Sequence, residues 1–161
     1  MRAWLSRLFA SVDPGVDAAR LRDARRIAEL HGSSFHRGWG ESEVEQLLSE
    51  RNVLAHCLRR GKRMLGFIIS RMAADEAEIL SVAIDPAWRG RGLSRKLLAT
   101  HLGHLAGHGI RNVFLEVEEN NAPAVTLYRH AGFQTVGRRE QYYRAANGQL
   151  LNALIMQRGL S

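Results

Sequence analysis

The stretch "AEILSVAIDPAWRGRGLSRKLL", residues 77–98, constrains the chain more than any other. Its first nine residues form a short apolar run, the pattern of a buried strand. Its last residues open an apolar helical run that continues through Leu102 and Leu105. Between them Gly90 and Gly92 allow backbone conformations closed to other residues, and Arg89, Arg91 and Arg95 add positive charge. A strand feeding a cationic glycine turn and then a helix N-terminus suits an anion, because the first helical N–H groups are free and the helix dipole is positive there. The spacing narrows the choice. A P-loop needs Lys-Ser/Thr after its last glycine, and Leu93 stands there instead. A dinucleotide fingerprint needs a third glycine where Arg95 stands. A nucleotide, an acyl carrier with its diphosphate, or an empty turn remain.

The elements around this turn set the fold class. "VDAARLRDARRIAELHGSSF" places Ala18, Leu21, Ala24, Ile27, Ala28 and Leu30 at helical spacing, with Gly32 as its stop. "ESEVEQLLSE" reads as a second helix. "VLAHCLRR" and "RMLGFIISRMA" read as a hairpin turning at Gly61-Lys62. After the strand and turn come a helix from about Ser94 to Ala106, the strand "NVFLEVEE" and the helix "APAVTLYRHAG" with Pro123 in its first turn. "FQTVGRREQYYRA" and "LLNALIMQR" form the last hairpin, for which Asn147-Gly148 predicts a two-residue turn. The expectation is one α/β (α+β) domain spanning residues 1–161, with a mixed central sheet. Its middle is a strand–helix–strand unit, which requires a parallel pair.

Composition removes several alternatives. No apolar run approaches the roughly 18 residues of a membrane span, and Arg7 interrupts any signal-peptide core. One cysteine, Cys57, allows no internal disulfide, which points to a reducing cytoplasm. The net charge of +7 fits either a solvated basic surface or an anionic partner. No DNA-binding module is visible. Residues 1–15 form an amphipathic extension in which Trp4, Leu5, Leu8, Phe9 and Val12 oppose Arg2 and Arg7. It suits a membrane surface, a partner, or the domain itself.

Arg89, Gly92 and Ser94 fall on the pattern [QR]-x-x-G-x-[GA], and this region resembles motif A of the GCN5-related N-acetyltransferases. Ser94 departs from the Gly or Ala of the pattern. "LEVEENNAPAVTLY", "GF" and "YY" resemble the bacterial branch of that family that acetylates the N-terminal alanine of a ribosomal protein. The likeness runs from about Leu80 to Met156. It implies an acetyltransferase that uses acetyl-coenzyme A directly and without metal. The coenzyme is expected along Val82, Ala83 and Ile84, over Arg89, Gly90, Arg91, Gly92, Leu93, Ser94 and Arg95, and against Asn121, Ala124 and Tyr128. The implied acceptor is a protein or peptide N-terminus, such as that of a ribosomal protein. A small-molecule amine and a basic ribosome- or RNA-binding module without catalysis are the alternatives.

Individual residues carry two readings each. The two-residue strand period puts Phe114, Glu116 and Glu118 on one face. Glu116 there is either a proton relay for the acceptor amine or a solvated strand carboxylate. Tyr128 either protonates the departing thiolate or packs in the core. Asn121 caps a helix, and the resemblance adds a hydrogen bond to pantetheine. Trp39, Glu116, Tyr142 and Tyr143 are the candidate acceptor contacts. Asn152 stands where the resembling branch has Asp. His101, His104 and His108 have a spacing that could hold zinc, but with no fourth ligand in view they read as solvated helix residues. Cys57 reads as a buried strand thiol.

Overall fold

The computed structural model describes residues 13–160. The stretch carrying Trp4, Leu5, Leu8, Phe9 and Val12 lies outside them. Seven strands form one mixed sheet in the order β1-β2-β3-β4-β5-β7-β6. The strands are β1 (Gly15–Ala18), β2 (Val53–Arg60), β3 (Arg63–Ala73), β4 (Glu76–Ile84), β5 (Asn112–Glu118), β6 (Gln134–Arg144) and β7 (Leu150–Gly159). The helices are α1 (Ala24–Gly32), α2 (Glu41–Ser49), α3 (Leu93–Gly107) and α4 (Ala122–His130). Among the described residues, no helix is long and apolar enough to cross a membrane.

Each sheet face has its own core. Leu97, Leu98, Leu102 and Leu105 of α3 and Val125 of α4 pack on Ile68, Ile79, Val113 and Leu115. Ile27 and Leu30 of α1 and Val44 of α2 pack on the opposite face, against Cys57, Phe67, Ile69 and Ala83. Helices on both faces explain why β3 reads as a nearly unbroken apolar run.

The sheet is continuous in name only at its centre. The parallel pairing of β4 and β5 runs from Glu76 opposite Asn112 to Ile79 opposite Leu115 and stops there. The cause lies on the other edge of β4. Ser81 faces Ile69 of β3 and Ile79 faces Ser70, which leaves Leu80 unopposed. Such a bulge bends its strand and increases local twist. β5 meanwhile keeps its antiparallel partner β7 as far as Glu118 opposite Ala153. Beyond Leu80 the two strands part, and the β4 edge opens.

Three local expectations are corrected. Residues 15–18 are not helical. They form β1, paired to His56–Arg59 on the outer edge of β2, and a 3-10 turn at Leu21–Asp23 precedes the helix proper. Backbone pairing overrides the helical spacing, and Leu21 is left exposed. The last hairpin turns through three residues, not two. Gly148 N–H donates to Ala145 O and Ala145 N–H to Gln149 O, with Gly148 alone in the left-handed region. This is a type I turn closed by a left-handed glycine.

His101 is the third. It is fully buried, not solvated. One ring nitrogen lies 2.7 Å from His56 Nδ1 and the other 2.7 Å from Ser70 Oγ. The chain of contacts ties α3 to β2 and β3. Burial lowers the His56 pKa to about 4 and the His101 pKa to about 3. His31, stacked between Phe35 and Trp39, falls to about 4 for the same reason.

These shifts fix an acid limit. A buried neutral histidine stabilises the fold above the unfolded pKa of about 6.5, and the stabilisation is lost as pH falls towards the folded value. Protonating any of them below that range costs stability. Urea unfolding from pH 7.5 to 5 is expected to show stability falling steeply below about pH 6.5. A flat profile there contradicts the buried, neutral assignment.

Candidate functional site

The glycine turn begins at Asp85, whose carboxylate accepts from Ala87 N–H at 3.0 Å and from Arg26 of α1 at 2.8 Å. The Ala87 amide, then burial and Arg26, set the Asp85 pKa, which lies below the usual carboxylate value. Arg89 donates to Ile84 O at 3.1 Å and to Ser34 Oγ at 3.0 Å. Arg91 stacks over Trp88 at 4.5 Å, and Arg95 reaches His130 of α4 at 2.7 Å. The three guanidinium groups thus frame the turn, and the backbone itself stays open. Gly90 and Gly92 have φ of +77° and +74°, and a Cβ built on either meets nothing within 4 Å. Gly92 caps α3 without a side-chain partner. The free N–H groups of Leu93, Ser94 and Arg95 therefore head a helix of 15 residues.

The open β4 edge leads from this turn into the sheet. Asp85 N–H is bonded to Leu65 O on β3. By strand alternation, Val82 and Ile84 turn their peptide groups away from β3, towards the gap left by β5. Ala83 packs in the core beneath α1.

At the far end of the gap stands Glu116. On β5, Val113, Leu115 and Val117 are buried while Phe114, Glu116 and Glu118 are half-buried on the other face. That face carries a cleft of about 450 Å³. Trp39, Glu116, Tyr142 and Tyr143 all line it, together with Leu80 of the bulge and the carboxylates Glu43, Glu50 and Glu78. Arg71, paired to Glu50, is the basic residue of the lining. Trp39 is held by its backbone N–H donating to His31 Nδ1 and by stacking on that ring at 4.1 Å.

Tyr128 sits on the opposite side of the sheet, in the α3/α4 core. Its helix closes with Phe133 N–H to Tyr128 O and Gly132 N–H to Arg129 O, a left-handed glycine termination. That closure seats the Phe133 ring edge-on against Tyr128 at 5.7 Å. Burial, with a smaller contribution from Tyr143, pushes the Tyr128 phenol well above its ordinary value, so it stays protonated at neutral pH. Asn121 caps α4 by accepting from Ala124 N–H at 3.3 Å. Cys57 is buried, and desolvation pushes its thiol up to about 12, far from thiolate character.

Sequence reasoning missed Arg139. Its Nε lies 3.1 Å from Glu116 Oε1, and its guanidinium stacks on Tyr142 at 5.1 Å. Negative Glu116 raises the Tyr142 phenol pKa, and burial followed by Glu116 takes that of Tyr143 to about 12. The β6 strand reaches Glu116 through a wide bulge, in which Glu140, Gln141 and Tyr142 stand against Asn152 alone. Asn152 clamps it: its Oδ1 accepts from Gln141 N–H at 3.0 Å, and its Nδ2 donates to Glu119 Oε2 at 3.0 Å. Gln141 lies in the left-handed region at φ 53°. An Asp at 152 could accept the first bond but not donate the second.

Comparison with known proteins gives the family. The profile of the Acetyltransferase (GNAT) family matches residues 24–133. N-alpha-acetyltransferase RimI of Mycobacterium tuberculosis is 35% identical over 146 residues, covering 86% of this chain and 90% of that protein. The crystal structure of the ribosomal-protein-S18-alanine N-acetyltransferase from Escherichia coli superposes with a TM-score of 0.86 at 26% identity, over 92% of this chain and 94% of that one. Arabidopsis thaliana NAA60, solved in complex with acetyl-CoA, shares the fold with a TM-score of 0.80 at 18% identity, over 91% of this chain and 98% of that one. The chain belongs to the GNAT acetyltransferase family.

The Asn152 clamp is testable. Arg138 and Asn152 hydrogen-bond Glu119 and hold its carboxyl below the usual 4.5, a stabilisation present above that pH and lost on acidification. Asn152→Asp sets two carboxylates together. It is expected to lower the melting temperature by a few degrees at pH 7, with the gap closing below about pH 4.5 as the carboxyls protonate. Equal melting temperatures at pH 7 contradict the clamp.

Proposed function

We propose that this GNAT acetyltransferase transfers the acetyl group of acetyl-coenzyme A to the N-terminal α-amine of a protein, by direct attack. The observation that carries the reading is one of continuity. The open β4 edge has the glycine turn at one end and the Glu116 cleft at the other. A phosphate-bearing carrier with an extended amide chain fits that path: the diphosphate meets the free N–H groups of α3, and the amides pair with Val82 and Ile84 as an added strand.

The thioester supplies an activated acetyl group. The amine nitrogen attacks its carbonyl carbon, the C–S bond breaks, and one proton must leave nitrogen while the thiolate needs one. Glu116 faces the cleft and takes the amine's proton, directly or through water. Tyr128 holds its own proton at neutral pH and gives it to the departing thiolate, and the phenolate left behind regains a proton from water. Asn121 and Ala124 begin the helix that carries Tyr128, and the Asn121 cap fixes its first turn. Cys57, buried and protonated, is outside this route.

Proton chemistry favours an α-amine acceptor. At pH 7.4 an α-amine of pKa about 7.8 is roughly a quarter neutral, whereas a lysine of pKa about 10.4 is about 0.1% neutral. One carboxylate relay suffices for the first. The cleft's Glu43, Glu50 and Glu78 favour a cationic acceptor over an anionic one. The E. coli fold neighbour acts on ribosomal protein S18, and a ribosomal-protein N-terminus is the acceptor proposed here. A small-molecule amine is the second reading, distinguished by which acceptor saturates at micromolar concentration.

Two measurements test this. Coenzyme A at 100 times its dissociation constant should stabilise the fold by about 2.7 kcal/mol. Gly92→Val strains a left-handed position and fills the open turn, so it should remove most of that gain, and an undiminished shift contradicts the phosphate assignment. Glu116→Gln should slow transfer to a free-N-terminus peptide by about a hundredfold to ten-thousandfold with coenzyme affinity nearly intact. The defect should shrink above pH 8, where the α-amine is already neutral. The Tyr128→Phe defect should persist there. If Glu116→Gln matches the parent from pH 6 to 9, the base lies elsewhere.

A further inference from the structure

Arg139 occupies the carboxylate that the acceptor needs. Its Nε stands 3.1 Å from Glu116 Oε1, with the Glu116 side chain 19% exposed and the Arg139 side chain 53% exposed. The same guanidinium lies over the Tyr142 ring at 5.1 Å from its centre, and the Tyr142 hydroxyl also bonds Glu116. Glu116 and Tyr142 both line the cleft, so Arg139 stands at its edge. The position is built rather than incidental. Arg139 pairs with Ala153 of β7 immediately before the Asn152-clamped bulge, which returns Tyr142 over the guanidinium.

We infer that Arg139 is a specificity-determining competitor: it holds Glu116 as a stand-in for the acceptor's ammonium, and an acceptor binds by exchanging one cation for the other. The inference rests on the reading of Glu116 as the group that receives the amine. An α-amine is mostly an ammonium below pH 7.8, and it needs the same carboxylate that Arg139 holds through Oε1. Two cations crowded onto one carboxylate repel each other, so the guanidinium moves off as the ammonium arrives. Half-exposed on a strand near the sheet edge, Arg139 loses little by turning into water. A neutral or anionic acceptor has no charge with which to make the exchange. The device therefore selects acceptors that arrive positively charged and raises the acceptor KM of all of them.

The other groups around Glu116 are consistent with this. Tyr142 and Tyr143 remain neutral phenols at physiological pH, and Glu118 on the same strand face is engaged by His36 at 3.2 Å. Among these, Arg139 is the group that presents a positive charge to Glu116.

The test is the split between KM and kcat for a free-N-terminus peptide with saturating acetyl-coenzyme A, using Arg139→Gln and Arg139→Met. The Met variant keeps an unbranched stem against Tyr142. A partly exposed ion pair predicts a roughly two- to fivefold fall in acceptor KM with kcat within about twofold. Arg139→Lys, which keeps the charge, should hold KM near the parent. Methylguanidinium added to Arg139→Gln should raise its KM back towards the parent value. A KM that is unchanged or raised in both neutral variants overturns the inference, as does a large fall in kcat, which would make Arg139 a positioning residue for Glu116. If the parent enzyme acetylates no peptide α-amine at all, the functional reading fails and takes this inference with it. Turnover with an unmoved KM refutes the inference alone.

Discussion

The unopposed residue Leu80 is the constraint on which the rest depends. A parallel pair normally keeps its evenly spaced hydrogen bonds along its whole length. Here the extra residue bends β4 after Ile79, while β7 keeps β5 in register through Glu118. The sheet becomes two blocks, β1–β4 and β5–β7–β6, joined along a short seam. Unpaired strand edges are costly unless something completes them. The open edge of β4 is therefore both a structural liability and a place for an extended ligand, and the glycine turn at its end supplies the donors that an anionic head needs.

The proposed chemistry follows from the same parting. Because β5 leaves β4 after Leu115, Glu116 borders a cleft on the β4 side while β7 still pairs its other edge. Because α3 and α4 cover the opposite face, Tyr128 lies in the apolar core beneath them, where burial keeps its proton on. The two groups differ in environment: a half-buried carboxylate among polar side chains, and a phenol in the core. In the proposed reaction that difference separates the proton acceptor from the proton donor.

Much of this was legible in the residues. Alternation along "NVFLEVEE" places Glu116 off the core face, and the two glycines with their flanking arginines mark the turn. What escaped depended on contacts between distant segments. The strand Gly15–Ala18 has no strand signal of its own and gains its conformation from the β2 edge. Helical spacing shows that His101 and His104 lie on neighbouring faces, yet not that Ser70 and His56 await His101 beneath α3. Arg139 meets Glu116 only because β7 lies between β5 and β6 in the sheet. Asn147-Gly148 did signal a turn, but its length was set by the Ala145–Gln149 pair. Local chemistry was readable, and register was not.

The central claim is that coenzyme A completes the open edge of β4 and the head of α3. Amide hydrogen exchange with and without coenzyme A tests it directly. The amides of Val82 and Ile84 and of Leu93, Ser94 and Arg95 are predicted to slow together on binding, while those that β3 already holds, such as Ala83 and Asp85, change little. Coenzyme A binding that leaves these five amides exchanging at their free rates would contradict the account.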